Sequence, residues 1–179
     1  MSTTVFQSRF PHDHSLVAEY PVHTEQQVDD ILDACTTAQR NWRRQPIEKR
    51  VQPLLQIAAG LRADADTHAG LITREMGKPI RQAKGEVEKC AWLCEYYAEQ
   101  APGFLADMNV ATDAERSAVV FRPLGVALAI MPWNFPYWQA FRFAVPAIAA
   151  GNGIVLKHAS NVSGCALAME KLFRECLPA

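Results

Sequence analysis

The 179-residue chain has no excess of basic charge: 18 lysines and arginines stand against 19 aspartates and glutamates, a formal net charge of −1. A phosphate backbone is gripped by clustered cations, so nucleic acid is not an expected partner. Long hydrophobic runs are missing too. The most compact apolar stretch, Val126 to Pro132, is far shorter than the roughly 20 residues that a spanning helix needs. Met1 to Phe10 lacks the charged start and apolar centre of a secretory signal. The expectation is a cytoplasmic protein with no membrane partner. Cysteines are few and odd in number, five at positions 35, 90, 94, 165 and 176. That spacing argues against a disulfide framework and for reduced thiols. The glycines compose no G-x-G-x-x-G fingerprint, which removes the ordinary dinucleotide turn. What is present, 49% apolar and 21% charged residues, is globular composition sufficient for one domain or slightly more.

The first two-thirds reads as helix. Thr24 with Gln27 makes a capping box, after which Val28, Ile31, Leu32, Cys35, Ala38 and Trp42 recur on one helical face and predict a packing partner for it. Pro46 opens a second helix carrying Val51, Leu54, Leu55, Ala58 and Leu61, with Pro53 expected to kink or delay it. A third runs near Thr67 to Met76 and stops at Gly77 and Pro79. The fourth shows the clearest amphipathic pattern, with Ala83, Val87, Cys90, Cys94, Tyr97 and Ala101 on one side, ending at Pro102 and Gly103. Strand character appears at Ser117 to Phe121.

From Val126 the order becomes β-α-β-α: a buried strand to Met131, a helix near Gln139 to Ala150, a strand from Ile154 to Lys157 and a helix from about Asn161 to Cys176. Such strands, buried on both faces, form parallel sheets whose ligands lie beyond the carboxyl ends. Two loops therefore matter, Pro132 to Pro136 and Lys157 to Asn161. In the first, Asn134 sits between rigid and aromatic neighbours. Its amide either donates to a developing oxyanion without titrating or caps the following helix. In the second, Lys157 followed by Ala159 and Ser160 at a helix N-terminus suits the ribose and phosphate of an adenine nucleotide; the alternative is a surface lysine and a capping hydroxyl. No metal site is expected. Cys90 and Cys94 read as core thiols, His12, Asp13 and His14 as an exposed loop, and Arg40, Arg43, Arg44, Lys49 and Arg50 as a solvated face.

Four strings occur together in order: EMGKP at Glu75 to Pro79, RPLGV at Arg122 to Val126, IMPWNFP at Ile130 to Pro136 and GNGIVLKHAS at Gly151 to Ser160. From about Thr24 onward the chain closely resembles the N-terminal part of aldehyde dehydrogenases, and LKHA resembles the bacterial succinate-semialdehyde members. The resemblance implies an α/β fold in which an N-terminal helical region (1–107) precedes a strand segment near the oligomer interface (108–123). The first β-α-β-α part of a Rossmann-like NAD(P)-binding sheet follows (124–179), the catalytic domain being absent. It implies Asn134 as oxyanion donor to a cysteine thiohemiacetal. It places Met131, Pro132 and Trp133 along the nicotinamide half of the cofactor site, with Lys157, His158, Ala159 and Ser160 toward the adenosine ribose. Phe135 and Trp138 fall near the substrate tunnel. The partners implied are a small aldehyde and further copies of the full-length subunit.

Two departures from that pattern carry expectations. Ser160 stands where NAD-dependent members often carry a glutamate that repels a 2′-phosphate, so NADP should be tolerated beside NAD. His158 replaces a frequent proline, which should leave its loop less constrained. None of the five cysteines matches the family nucleophile, and the general-base glutamate is also missing, so this chain alone should not turn over aldehyde. The alternative is a non-catalytic module that binds nucleotide or pairs with a full-length subunit.

Overall fold

The computed structural model describes residues 4–177; the first three and last two residues of the terminal segments named above lie outside them. A hairpin comes first, β1 (Val5–Arg9) antiparallel to β2 (Leu16–Pro21). Its turn is closed by Asp13, whose carboxylate accepts from the Ser15 N–H and hydroxyl at 2.9 and 2.6 Å. Four helices follow: α1 (Glu25–Trp42), α2 (Ile47–Ala63), α3 (Ala65–Met76) and α4 (Ile80–Phe104). A minimal ribbon of β3 (Met108–Asn109) and β4 (Ala118–Val119) leads to β5 (Val126–Met131), α5 (Pro136–Ala149) and β6 (Gly153–His158). A 3-10 turn at Ser160–Val162 opens into α6 (Ser163–Cys176).

Local chemistry accounts for most of these boundaries. The capping box forms, Thr24 Oγ1 accepting from Gln27 N–H at 3.2 Å and Gln27 Oε1 from Thr24 N–H at 2.8 Å. Gly77, at φ 78°, ends α3 in the left-handed conformation that a side chain disfavours. Proline is less disruptive than expected. Helix α2 begins at Ile47 and runs through Pro53, and α4 continues past Pro102 and Gly103 to Phe104. Leu54, Ile57 and Leu61 are fully buried around the first of these, so tertiary packing outweighs the single ladder bond that each proline removes.

One core joins the whole length. Val51, Leu54, Ile57, Ile72, Val87, Cys90 and Cys94 from the helical region pack with Tyr137, Phe141, Val145, Met169 and Leu172 from α5 and α6. Strands β5 and β6 are parallel, in the register Ala127↔Ile154, Ala129↔Leu156 and Met131↔His158, and register partners share a face. Ala129 and Leu156 turn toward that core. The opposite face corrects the expectation of strands buried on both sides: Leu128 is 62% and Ile130 68% exposed.

Helix α1 itself is a second correction. Val28, Ile31, Leu32 and Ala38 are exposed, and the buried residue of the helix is Gln39. Its amide donates to the Gly151 carbonyl at 3.0 Å, and the Trp42 indole donates to the Ile148 carbonyl at 2.9 Å. The predicted face therefore packs only in its C-terminal half, where Cys35, Gln39 and Trp42 share one side of the helix and meet β6 and the α5 C-terminus, while its N-terminal half is left uncovered. The strand predicted for Ser117 to Phe121 shrinks to Ala118–Val119, with Val119, Val120 and Phe121 exposed.

Candidate active site

The two loops singled out from the sequence start side by side. Met131 and His158 are cross-strand partners at the carboxyl ends of β5 and β6, so the chain leaves for Pro132 and Ala159 from adjacent strands about 4.8 Å apart. Pro132, Trp133, Asn134, Phe135, Lys157 and Ser160 are exposed, while Met131, Trp138, His158 and Ala159 are half-buried. The candidate residues thus gather at one end of the sheet.

Asn134 does not cap α5. The N-cap position is Phe135, no side chain bonds there, and among the described residues the Asn134 amide has no hydrogen-bond partner. An unengaged amide donor on a proline-bounded loop is free to meet an oxygen of a bound molecule.

Two carboxylates that the sequence reading passed over hold the helices behind these loops. Helix α5 begins with Pro136, which has no N–H to satisfy, and the next two donors, Tyr137 and Trp138 N–H, bond Glu86 Oε1 at 2.9 and 3.0 Å. The other oxygen of Glu86 pairs with buried Lys78, whose ammonium lies 3.8 Å above the Phe135 ring. In α6, Gly164 N–H donates to Glu75 Oε1 at 2.9 Å and Cys165 N–H to Glu75 Oε2 at 2.8 Å. Buried negative charge is thereby placed at two helix N-termini, where the helix dipole favours it. Gly164 is required for the approach: a Cβ there would lie 2.8 Å from Glu75 Oε1.

At the start of α6 these two N–H groups thus face Glu75. Lys157 and Ser160 keep exposed side chains at the end of β6. A sequence signal for both carboxylates existed. Glu86 stands three residues after Ala83 and four before Cys90, and Glu75 three after Ile72, each on a stripe that is otherwise apolar.

Tyr20 of β2 completes the Glu75 site, its hydroxyl donating to Oε1 at 3.1 Å. Burial and the Glu75 charge push the phenol from 10.0 up to about 12. A raised phenol contributes stability that is fully present below pH 10 and is lost as pH rises through 12. Tyr20→Phe is expected to lower stability by about 1 kcal/mol at neutral pH and to flatten the alkaline part of the profile, as read by urea melts from pH 8 to 12.

His158 overturns another expectation, that its loop is loosely held. Its Nδ1 accepts from Ala159 N–H at 2.8 Å, which leaves Nε2 as the protonated nitrogen donating to the Pro136 carbonyl at 2.9 Å. Hydrogen bonds restrain the loop in place of a proline ring. Phe135 and Trp138 carry Lys78 and Lys89 on their faces, the latter also at 3.8 Å. Burial raises all five thiols above their ordinary range, Cys94 to about 12, so none presents a thiolate at neutral pH. No cluster of three metal-ligating side chains forms among the described residues, and no helix there is long and apolar enough to cross a membrane.

Known proteins resemble this chain over nearly all of its length. The model of the aldehyde dehydrogenase family aligns with residues 1–179, the hairpin included. A probable succinate-semialdehyde dehydrogenase (NADP(+)) of Synechocystis sp. is 48% identical over 158 residues, covering 88% of this chain and 35% of that protein. The Escherichia coli succinate semialdehyde dehydrogenase (NAD(P)+) Sad is 46% identical over 148 residues, 83% of this chain and 32% of that protein. Among solved structures, the succinic semialdehyde dehydrogenase of Streptococcus pyogenes in complex with NADP+ superposes with a TM-score of 0.92 at 35% identity, over 96% of this chain and 38% of that one. The chain spans about a third of the length of these curated relatives. Matched by the family model over residues 1–179 and 48% identical to a relative over 88% of its own length, the chain belongs to the aldehyde dehydrogenase family.

Proposed function

We propose that the chain is the N-terminal part of an NAD(P)-dependent aldehyde dehydrogenase that oxidises succinate semialdehyde to its acid. The observation that carries this reading is the unengaged amide of Asn134 at the carboxyl end of β5, next to the exposed Lys157 and Ser160 at the end of β6. Asn134 donates to the oxygen on which negative charge develops when a thiol adds to the aldehyde. Lys157 and Ser160 meet the adenosine ribose, His158 and Ala159 shape that turn, and the backbone of Met131, Pro132 and Trp133 lines the nicotinamide side. Phe135 and Trp138 border the substrate approach.

The donor set fits a nicotinamide nucleotide, since it combines a cation, a hydroxyl and an amide at the carboxyl ends of two parallel strands with no carboxylate aimed outward among them. When bound, that cofactor supplies the hydride acceptor. In this reading the nucleophilic thiolate and the general base belong to the family's catalytic part, and the chain alone gives no turnover. The division at 107/108 and 123/124 belongs to the same reading. So do a cytoplasmic location and homo-oligomers formed near the exposed Val119, Val120 and Phe121.

The testing experiment is aldehyde-dependent reduction of cofactor by a protein that joins this chain to a family catalytic part. Turnover with succinate semialdehyde and NADP at least equal to that with NAD is expected; a strong preference for NAD contradicts the role given to Ser160. Lys157→Ala should weaken NADP roughly 30-fold in fluorescence titration, the worth of one charged hydrogen bond of about 2 kcal/mol. A second reading, a nucleotide-binding or subunit-pairing module, is favoured by the uncovered apolar face at Leu128 and Ile130. Saturable NADPH binding by this chain alone would support it.

A further inference from the structure

The most connected side chain between the two loops is His158. Its ring is half-buried, accepts from Ala159 N–H and donates to the carbonyl of Pro136, the first residue of α5. Ala159 in turn begins the 3-10 turn, its carbonyl accepting from Val162 N–H at 3.2 Å. The ring therefore spans from the turn that carries Ser160 to the residue two positions after Asn134, using one acceptor and one donor that only the neutral Nε2–H tautomer offers together.

We infer that His158 is a positioning residue, a strut that fixes the Asn134 loop relative to the Lys157–Ser160 turn, and that this strut holds only while the ring is neutral. The inference rests on the reading of both loops as one nucleotide site. Protonation at Nδ1 sets an N–H against the Ala159 N–H, and the ring must turn or the turn must open. The charged groups around the ring are Glu75 from α3 and Glu86 from α4, which favour the cation, and Lys157 beside it, which opposes it. Burial prevails and holds the imidazole below its ordinary value of 6.5. A histidine so lowered contributes stability that is present above about 6.5 and declines as pH falls below it.

The test uses the chain itself, by NMR and fluorescence. In the wild type, His158 ring nitrogens should report the Nε2–H tautomer at pH 8. On acidification, the amide signals of Trp133, Asn134 and Phe135 and of Ala159 and Ser160 should titrate together with that ring and with one midpoint below 6.5. His68, the other histidine of lowered basicity, bonded to Tyr137 at 2.8 Å, is followed by its own ring signals and removed in His68→Gln, in which the shared loop titration should persist. In His158→Gln, whose amide can still donate to Pro136, the shared titration should vanish while the fold persists. In His158→Ala, both loops should lose order at every pH. Where the chain binds NADPH, His158→Ala should weaken it roughly tenfold at pH 8, the glutamine variant less and without pH dependence. Loop signals that ignore the His158 titration, or that titrate unchanged in His158→Gln, overturn the strut. Absence of NADPH binding to the wild type counts against a nucleotide site formed by this chain alone, and the strut is then decided by the loop signals.

Discussion

Glu75→Ala is expected to lower the stability of the chain by about 3–5 kcal/mol, a large share of the 5–15 kcal/mol typical of a domain. The side chain is 1% exposed and accepts three donors: Gly164 N–H, Cys165 N–H and the Tyr20 hydroxyl. Truncation strands two buried backbone donors at the start of α6, each costing about 1–3 kcal/mol unpaired. Glutamine is a poor substitute, because Glu75 uses both oxygens for backbone donors and the new amide NH2 would face one of them. Urea melts are the measurement. A lower midpoint with unchanged slope is expected, with α6 and the β1–β2 hairpin losing amide protection first. A loss below about 1 kcal/mol would mean that the carboxylate is not the cap of α6.

Asn134→Ala should do the opposite. Its side chain is exposed and bonds nothing among the described residues, so stability should stay within about 0.5 kcal/mol of the parent. In the catalytically complete protein, kcat should fall by roughly 10²–10³, the effect of removing one oxyanion donor, with cofactor affinity little changed. Full retained activity would remove Asn134 from the chemistry. A large loss of stability would instead make it a structural residue. The contrast with Glu75 is one of burial: one polar group is spent inside the fold, the other is left unspent at its surface.

The sequence made visible whatever depends on neighbours in the chain. The Thr24–Gln27 box, the stop at Gly77, the span of β5 and the β-α-β-α order follow from caps, glycine geometry and apolar periodicity, each determined within a few residues. The two loops were legible for the same reason, because prolines and polar residues at strand ends announce themselves locally. Motif order gave the family.

Tertiary structure decided what those residues do with their hydrogen bonds. It turned Gln39 inward and left Val28, Ile31 and Leu32 outside, carried α2 through Pro53, filled the α5 and α6 N-termini with Glu86 and Glu75, and set His158 between two loops. These outcomes join atoms 22 to 112 residues apart in the chain. A buried donor must find an acceptor wherever the fold brings one, and periodicity counts apolar faces without recording which carbonyl or amide lies opposite.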